Sequence, residues 1–166
     1  NTDINGFELS IRKLNYDVSD KTVLILGAGG VVPSIIFSLL RMKASKILLS
    51  NRTKEKANNL KEFFKEINVV DWGDLPEFDM IINATTLGLN KKDKFGIDFS
   101  KIGQNKFFYD VIYEPFQTEF SDAGNIQGNI IENGLNMFLF QGQQAFNIWH
   151  KVQPEINLEL VKFLKS

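Results

Sequence analysis

The sequence predicts an α/β domain built on a doubly wound parallel sheet, with extra C-terminal helices. Two observations carry this prediction. Short apolar runs of strand length alternate with stretches of helical period, the pattern of a parallel sheet with right-handed crossovers. The run Thr22-Val-Leu-Ile-Leu-Gly-Ala-Gly-Gly30 then ends an apolar strand in a glycine turn that opens a helix. It is answered about 20 residues later by Leu48-Leu-Ser-Asn-Arg-Thr53, the spacing of a Rossmann-like dinucleotide fold.

The elements follow in order. Phe7, Ile11 and Leu14 recur at helical spacing over residues 1–15, with Thr2 or Asp3 as N-cap. Residues 15–20 form a loop ahead of the strand that enters at Thr22. An apolar helix occupies 34–42 and a strand 46–50. Residues 54–65 form a charged amphipathic helix whose inward stripe is Ala57, Leu60 and Phe64. A strand at 67–70 and a turn-rich stretch at 71–76 lead into 79–84. That run is continuously apolar because a parallel sheet is covered on both faces. Residues 89–100 read as a loop, 106–113 as a strand, 118–123 as a short helix and 129–131 as a last strand. A long helix spans 134–152, its apolar side made of Leu135, Phe138, Leu139, Ala145, Phe146 and Trp149. Pro154 interrupts it, and residues 158–164 make a final amphipathic helix.

Composition narrows the function classes. The 166 residues fit one ordinary domain, and 43% hydrophobic content with 15 phenylalanines provides a sizeable core. A net charge of -1 argues against a broad nucleic-acid surface. The absence of cysteine removes disulfide and thiolate chemistry and fits a reducing compartment. Apolar runs such as Ile35-Ile36-Phe37 are too short to span a membrane, no signal peptide is visible, and no metal site is expected. The sequence opens on Asn1, so either the terminus is processed or this is a fragment of something longer.

Several residue groups can carry chemistry. Gly27, Gly29 and Gly30 let backbone amides approach phosphate oxygens at a helix N-terminus. The third glycine of the usual pattern is replaced by Val32, so the helix should sit slightly further from the strand or the turn should differ in detail. Pro33 is tolerable in the first helical turn. At the tip of the second strand stand Asn51, Arg52 and Thr53, with Lys54 and Lys56 behind them and no acid. A guanidinium forks onto phosphate, Thr53 can cap the next helix, and the cofactor read here is NADP rather than NAD. Asn83, Ala84 and Thr85 end the fourth strand, where ligands bind in such sheets; a plain strand-end turn explains their spacing nearly as well. Taken alone, Asp3 reads as a cap, His150 as a surface residue without a role, and Tyr113 and Gln141 as unremarkable.

Together, Asn1-Thr-Asp3, Gly27-Ala-Gly-Gly30, Asn51-Arg-Thr53, Asn83-Ala-Thr85 with Gly88, Asp110-Val-Ile-Tyr113 with Pro115 and Thr118, and Gly134-x-x-Met137 with Gln141, Phe146 and Trp149 resemble the shikimate dehydrogenase family. The six motifs keep that family's order across essentially the whole chain. The resemblance implies reversible NADPH-dependent reduction of 3-dehydroshikimate to shikimate, on the route to chorismate and the aromatic amino acids, in a cytoplasmic enzyme. It casts Asp3 as the active-site aspartate and Tyr113 and Gln141 as shikimate contacts. Gly27, Ala28, Gly29, Gly30 and Val31 match the pyrophosphate loop; Asn51, Arg52, Thr53, Lys54 and Lys56 match the NADP-selecting segment. Val111, Gly134 and Met137 fall beside the nicotinamide.

The same resemblance divides the chain into a connecting helix (1–15), a Rossmann-like NADP-binding domain (16–133) and C-terminal helices (134–166) that pack back on a substrate domain. Val31 and Val32 stand where the family usually has small alanines, and His150-Lys151 where a small residue and glycine are common. The family carries, ahead of Asn-Thr-Asp, a substrate domain of roughly a hundred residues. Its catalytic lysine lies there, and no matching motif occurs in this sequence. NADP(H) binding with little or no shikimate turnover is therefore expected of these 166 residues alone. The C-terminal helices should expose apolar surface unless they pack on Phe7 and Leu14 or on a second chain, which leaves a homo-oligomer open. Two further readings stay open: a non-catalytic or partner-completed NADP-binding module, and a quinate/shikimate dehydrogenase.

Overall fold

The computed structural model describes residues 1–90 and 92–164, so Lys91 of the expected 89–100 loop and the last two residues of the expected C-terminal segment lie outside the described residues. Six strands, Thr22–Leu26 (β1), Lys46–Ser50 (β2), Ile67–Val70 (β3), Met80–Asn83 (β4), Phe107–Asp110 (β5) and Ile130–Glu132 (β6), form one sheet in the order β3-β2-β1-β4-β5-β6. Every pairing is parallel. The order reverses between β1 and β4, which opens a crevice at their carboxyl ends. Leu26 pairs with Ser50 and Asn83, and Asn83 with Asp110, so four strand ends finish level beside that crevice.

Alternate side chains of the strands feed two cores. Val23, Ile25, Leu49, Ile82 and Tyr109 face helices Thr2–Lys13 (α1), Val32–Arg41 (α2) and Lys54–Phe63 (α3), where Phe7, Ile11, Ile35, Leu39 and Ala57 are buried. Leu24, Leu26, Leu48, Ile81 and Phe108 face the other way, against Phe95, Phe99, Ile102 and, from helix Glu119–Ile126 (α4), Phe120. Each fully buried side chain of this size contributes roughly 2 kcal/mol of transfer free energy. Burial on both faces is what makes the central strands continuously apolar.

Helix α1 is docked by more than apolar contact. The Phe7 ring meets Tyr109 edge-on at 5.1 Å, and Ser10 Oγ and the Tyr109 hydroxyl share a buried 2.7 Å hydrogen bond. Helix Leu135–His150 (α5) crosses α1 at Gly6, where a β-carbon would lie 2.8 Å from the Met137 carbonyl oxygen and 2.9 Å from Gln141 Cβ.

Several expectations need correction. The N-cap of α1 is Asn1, not Thr2 or Asp3: its side chain accepts the Asp3 N–H at 2.9 Å. Leu14 falls just past the helix and is exposed. β5 stops at Asp110 instead of running to 113, because the Asp110 carboxylate takes the Ile112 N–H and turns the chain out of the ladder. The 89–100 region is a loop as expected among its described residues; it buries Phe95 and Phe99 and runs into a 3-10 turn at Phe99–Lys101.

The face that α5 buries differs only in part, since Leu135 and Leu139 are buried as expected. Leu135, Met137 and Leu139 are buried, whereas Phe146 and Trp149 are exposed, Trp149 by 75%. The following segment folds back along α5, where Gln143 Nε2 donates to the Pro154 carbonyl at 2.7 Å. The last helix, Leu158–Phe163 (α6), buries none of its residues. No described helix is long and apolar enough to cross a membrane.

Candidate functional site

The carboxyl ends of β1 and β4 carry the glycine turn. Gly27 has φ +111° and donates its N–H to the Ser50 carbonyl at 2.7 Å. A β-carbon there would lie 2.6 Å from the Ala84 carbonyl oxygen, so only glycine fits. Beyond it the space opens: at Gly30 a β-carbon would meet nothing within 4 Å. Among the described residues, none accepts the N–H groups of Ala28, Gly29, Gly30 or Val31. Unpaired amides at a helix N-terminus, with the α2 dipole behind them, have the chemistry to accept an anionic group such as a phosphate. Val32, standing where a third glycine is usual, is fully buried in the core, and its N–H is satisfied by the Gly29 carbonyl at 3.1 Å. The substitution thus adds packing at the helix start.

At the tip after β2, Asn51 Nδ2 donates to the Thr53 carbonyl at 2.8 Å and shapes the turn. Thr53 occupies the N-cap of α3, but its hydroxyl makes no capping bond, contrary to expectation. Lys54 is drawn sideways into an ion pair with Asp71, whose hydrogen bond and charge hold its ammonium above the ordinary lysine range. Arg52 and Lys56 are exposed and pair with no described carboxylate. Of the basic residues singled out in this segment, Arg52 and Lys56 keep their charge available to a ligand.

The ends of β4 and β5 are tied by buried polar groups. Asn83 is fully buried; its Nδ2 donates to Asp110 Oδ1 at 2.9 Å and to the Leu87 carbonyl at 3.1 Å. Its Oδ1 accepts from the Thr85 N–H and, at 2.7 Å, from the Thr85 hydroxyl. The Asn83 side chain is therefore spent on holding the turn, in which Ala84 is buried and the Thr85 hydroxyl also accepts the Leu87 N–H at 2.9 Å. Burial pushes the Asp110 carboxyl up to about 6, against the opposing pull of Thr118, Ile112 and Asn83.

Three elements converge beside this turn. Asp3 at the start of α1, Tyr113 after β5 and Gln141 on α5 line one open hollow of about 230 Å³ together with Val31, Val111, Gly134, Met137 and Phe138. Gly134 caps α5 and touches the chain at Val111: a β-carbon there would lie 1.9 Å from the Val111 carbonyl oxygen. Tyr113 stacks on Phe138, with ring centroids 4.6 Å apart and planes inclined by 21°. The Asp3 carboxylate has no hydrogen-bond partner among the described residues, while Asn1 anchors that helix end to α2 through Ser34 Oγ at 2.9 Å. Carboxylate, phenol and carboxamide together offer donors and acceptors suited to a small polyhydroxylated molecule. No lysine or histidine lines the hollow.

Phe138, Asp110 and Thr118 gain parts here that the sequence alone did not assign. A Thr ahead of a helix is a capping signal, and Thr118 forms a full capping box with Ser121. The partnership of Asp110 with Asn83 joins residues 27 positions apart and has no local signature.

Comparison with known proteins identifies the family and the fold. The sequence profile described as "Shikimate / quinate 5-dehydrogenase" matches residues 8–92. A shikimate dehydrogenase (NADP(+)) of Pelagibacter ubique is 51% identical over 164 residues, covering 99% of this chain and 62% of that protein. The chain thus spans about three fifths of that relative's length. The crystal structure of shikimate dehydrogenase from Aquifex aeolicus superposes with a TM-score of 0.84 at 34% identity, covering 93% of this chain and 57% of the other. A Thermus thermophilus shikimate 5-dehydrogenase in complex with NADP(H) and shikimate gives a TM-score of 0.83 at 27% identity, covering 93% and 58%.

Proposed function

The chain belongs to the shikimate / quinate 5-dehydrogenase family, and from that premise we propose that it is the NADP(H)-binding part of a shikimate dehydrogenase, which reversibly reduces 3-dehydroshikimate to shikimate. One observation carries the reading. The hollow brings the candidate substrate residues Asp3, Tyr113 and Gln141 into one space with the candidate cofactor residues Val31, Val111, Gly134 and Met137, although they come from distant parts of the sequence. NADP(H), when bound, supplies or accepts the hydride.

The chain's own residues do the rest. The free amides of residues 28–31 receive the pyrophosphate, and Arg52, with Thr53 and Lys56 beside it, reads the 2′-phosphate. Val111, Gly134 and Met137 border the nicotinamide with backbone and apolar surface. Asp3, Tyr113 and Gln141 orient the substrate hydroxyls. Carbonyl reduction also needs a proton donor aligned with hydride delivery, and no lysine stands beside Asp3 in the hollow. Turnover therefore belongs to an assembly in which a substrate domain completes the hollow. The exposed apolar surface of residues 134–164, with Trp149 and α6 outermost, supports their role as the face on which that domain packs.

Calorimetric titration of the 166-residue chain tests the cofactor site: NADPH should bind more tightly than NADH, and equal affinities would refute the assignment of Arg52. Shikimate-dependent NADP reduction by the same chain at about 10 s⁻¹, an ordinary enzyme rate, would refute the need for a completing domain.

A further inference from the structure

The carboxyl ends of β4 and β5 share a buried carboxylate that the proposed reaction does not use. Asp110 is 1% exposed. Its Oδ1 accepts from Asn83 Nδ2 at 2.9 Å and from the Ile112 N–H at 3.0 Å, and its Oδ2 accepts from the Thr118 hydroxyl. Asn83 passes the connection on to Thr85 and Leu87, and Thr118 passes it to the N–H of Ser121 at the start of α4. One carboxylate thus ties together the turn after β4, the exit from β5 and the cap of α4.

Two of these three segments reach the cleft. The Ala84 carbonyl presses on Gly27, the first residue of the phosphate turn. Val111, next to Asp110, lines the hollow, and its carbonyl presses on Gly134. Beside the backbone bonds of Ala84 to Leu26 and of Val111 to Asn83, Asp110 therefore braces both segments that bear on the cleft. Keeping an ionised carboxylate under the sheet edge is costly compared with a neutral group of the same shape, which argues for more than bulk stability.

We propose that Asp110 is a positioning residue for the nicotinamide end of the bound dinucleotide, acting through Val111 on one side and Asn83 on the other. The proposal rests on the NADP(H) reading above. Asp110→Asn keeps the shape and removes the charge; Thr118→Val keeps the charge and removes one donor. Each variant of the 166-residue chain is titrated with NADPH and with 2′,5′-ADP, which carries the 2′-phosphate but no nicotinamide. Both variants should bind NADPH about tenfold more weakly, the loss that mispositioning of the nicotinamide end would bring, and bind 2′,5′-ADP within about twofold of the parent.

Unchanged NADPH affinity would overturn the proposal, as would a parallel loss for both ligands, which is the mark of a merely structural group. Loss of the folded far-ultraviolet spectrum in both variants would assign the cluster to stability and also overturn it. Failure of the unmodified chain to bind either ligand would instead overturn the NADP(H) reading itself.

Discussion

The phosphate end of the cleft is made of backbone, whereas the hollow beside Gly134 is made of side chains brought from three separate elements. At the first end, four consecutive amides in one turn lack partners among the described residues, and their placement follows from a single strand-turn-helix junction. At the second, Asp3, Tyr113 and Gln141 meet only because α1, the loop after β5 and α5 all pack correctly. The contrast teaches where each kind of site is fragile. A backbone receptor fails when its turn cannot form; a side-chain constellation fails when any one of its supports shifts.

The largest expected effect comes at the point where the hollow itself depends on backbone. Gly134→Ala forces a β-carbon onto the Val111 carbonyl, 1.9 Å away without relaxation. Overpacking of this kind should cost about 3 kcal/mol of stability in urea unfolding. An unchanged midpoint would show that the α5 start can move, and the contrast between the two ends would weaken.

Next comes the joint between the ends. The folded Asp110 carboxyl sits at about 6, above its ordinary 3.8, so between those values the folded chain holds a proton that the unfolded chain has released. This contribution to stability grows as pH falls and is lost as pH rises through 6. Lowering the pH from 7 to below 4 should therefore raise the stability of the parent relative to Asp110→Asn by about 3 kcal/mol. Parallel pH profiles of the two proteins in chemical denaturation would contradict the burial of a charged Asp110.

A smaller effect separates the phosphate end into its parts. Arg52→Ala should weaken NADPH by about 2 kcal/mol while leaving NADH nearly untouched. Lys54→Ala should change little, because its ammonium is engaged by Asp71. Calorimetry that ranked Lys54 above Arg52 would reverse this assignment. The smallest effect sharpens the comparison most: Asp3→Asn and Gln141→Ala should leave NADPH affinity within about twofold, since both belong to the side-chain end. A large loss in either would mean that the two ends are not separable.

How much of this was legible in the sequence depends on how local the cause is. The apolar alternation placed the strands, and the glycine turn that ends β1 was legible too, because both signals lie within a few residues. The end of β5 was not legible, since it is cut short by a carboxylate whose other partners are Asn83 and Thr118. The buried face of α5 was misread for another reason. Apolar residues occur all round that helix, so periodicity finds Leu135 and Leu139 but cannot choose Met137 over Phe146 and Trp149; only the docking of α1 decides. Likewise the engagement of Lys54 depends on Asp71, a residue on a different loop. The convergence of Asp3, Tyr113 and Gln141 came from family resemblance, because nothing in their spacing announces it.

The crossing at Gly6 has a mechanical consequence. With no β-carbon between α1 and α5, the helix that carries Asp3 in its first turn rests on the main chain of Met137 and on Cβ of Gln141. Close backbone packing of the two helices thus fixes, in the folded chain, how far the Asp3 carboxylate stands from the Gln141 carboxamide.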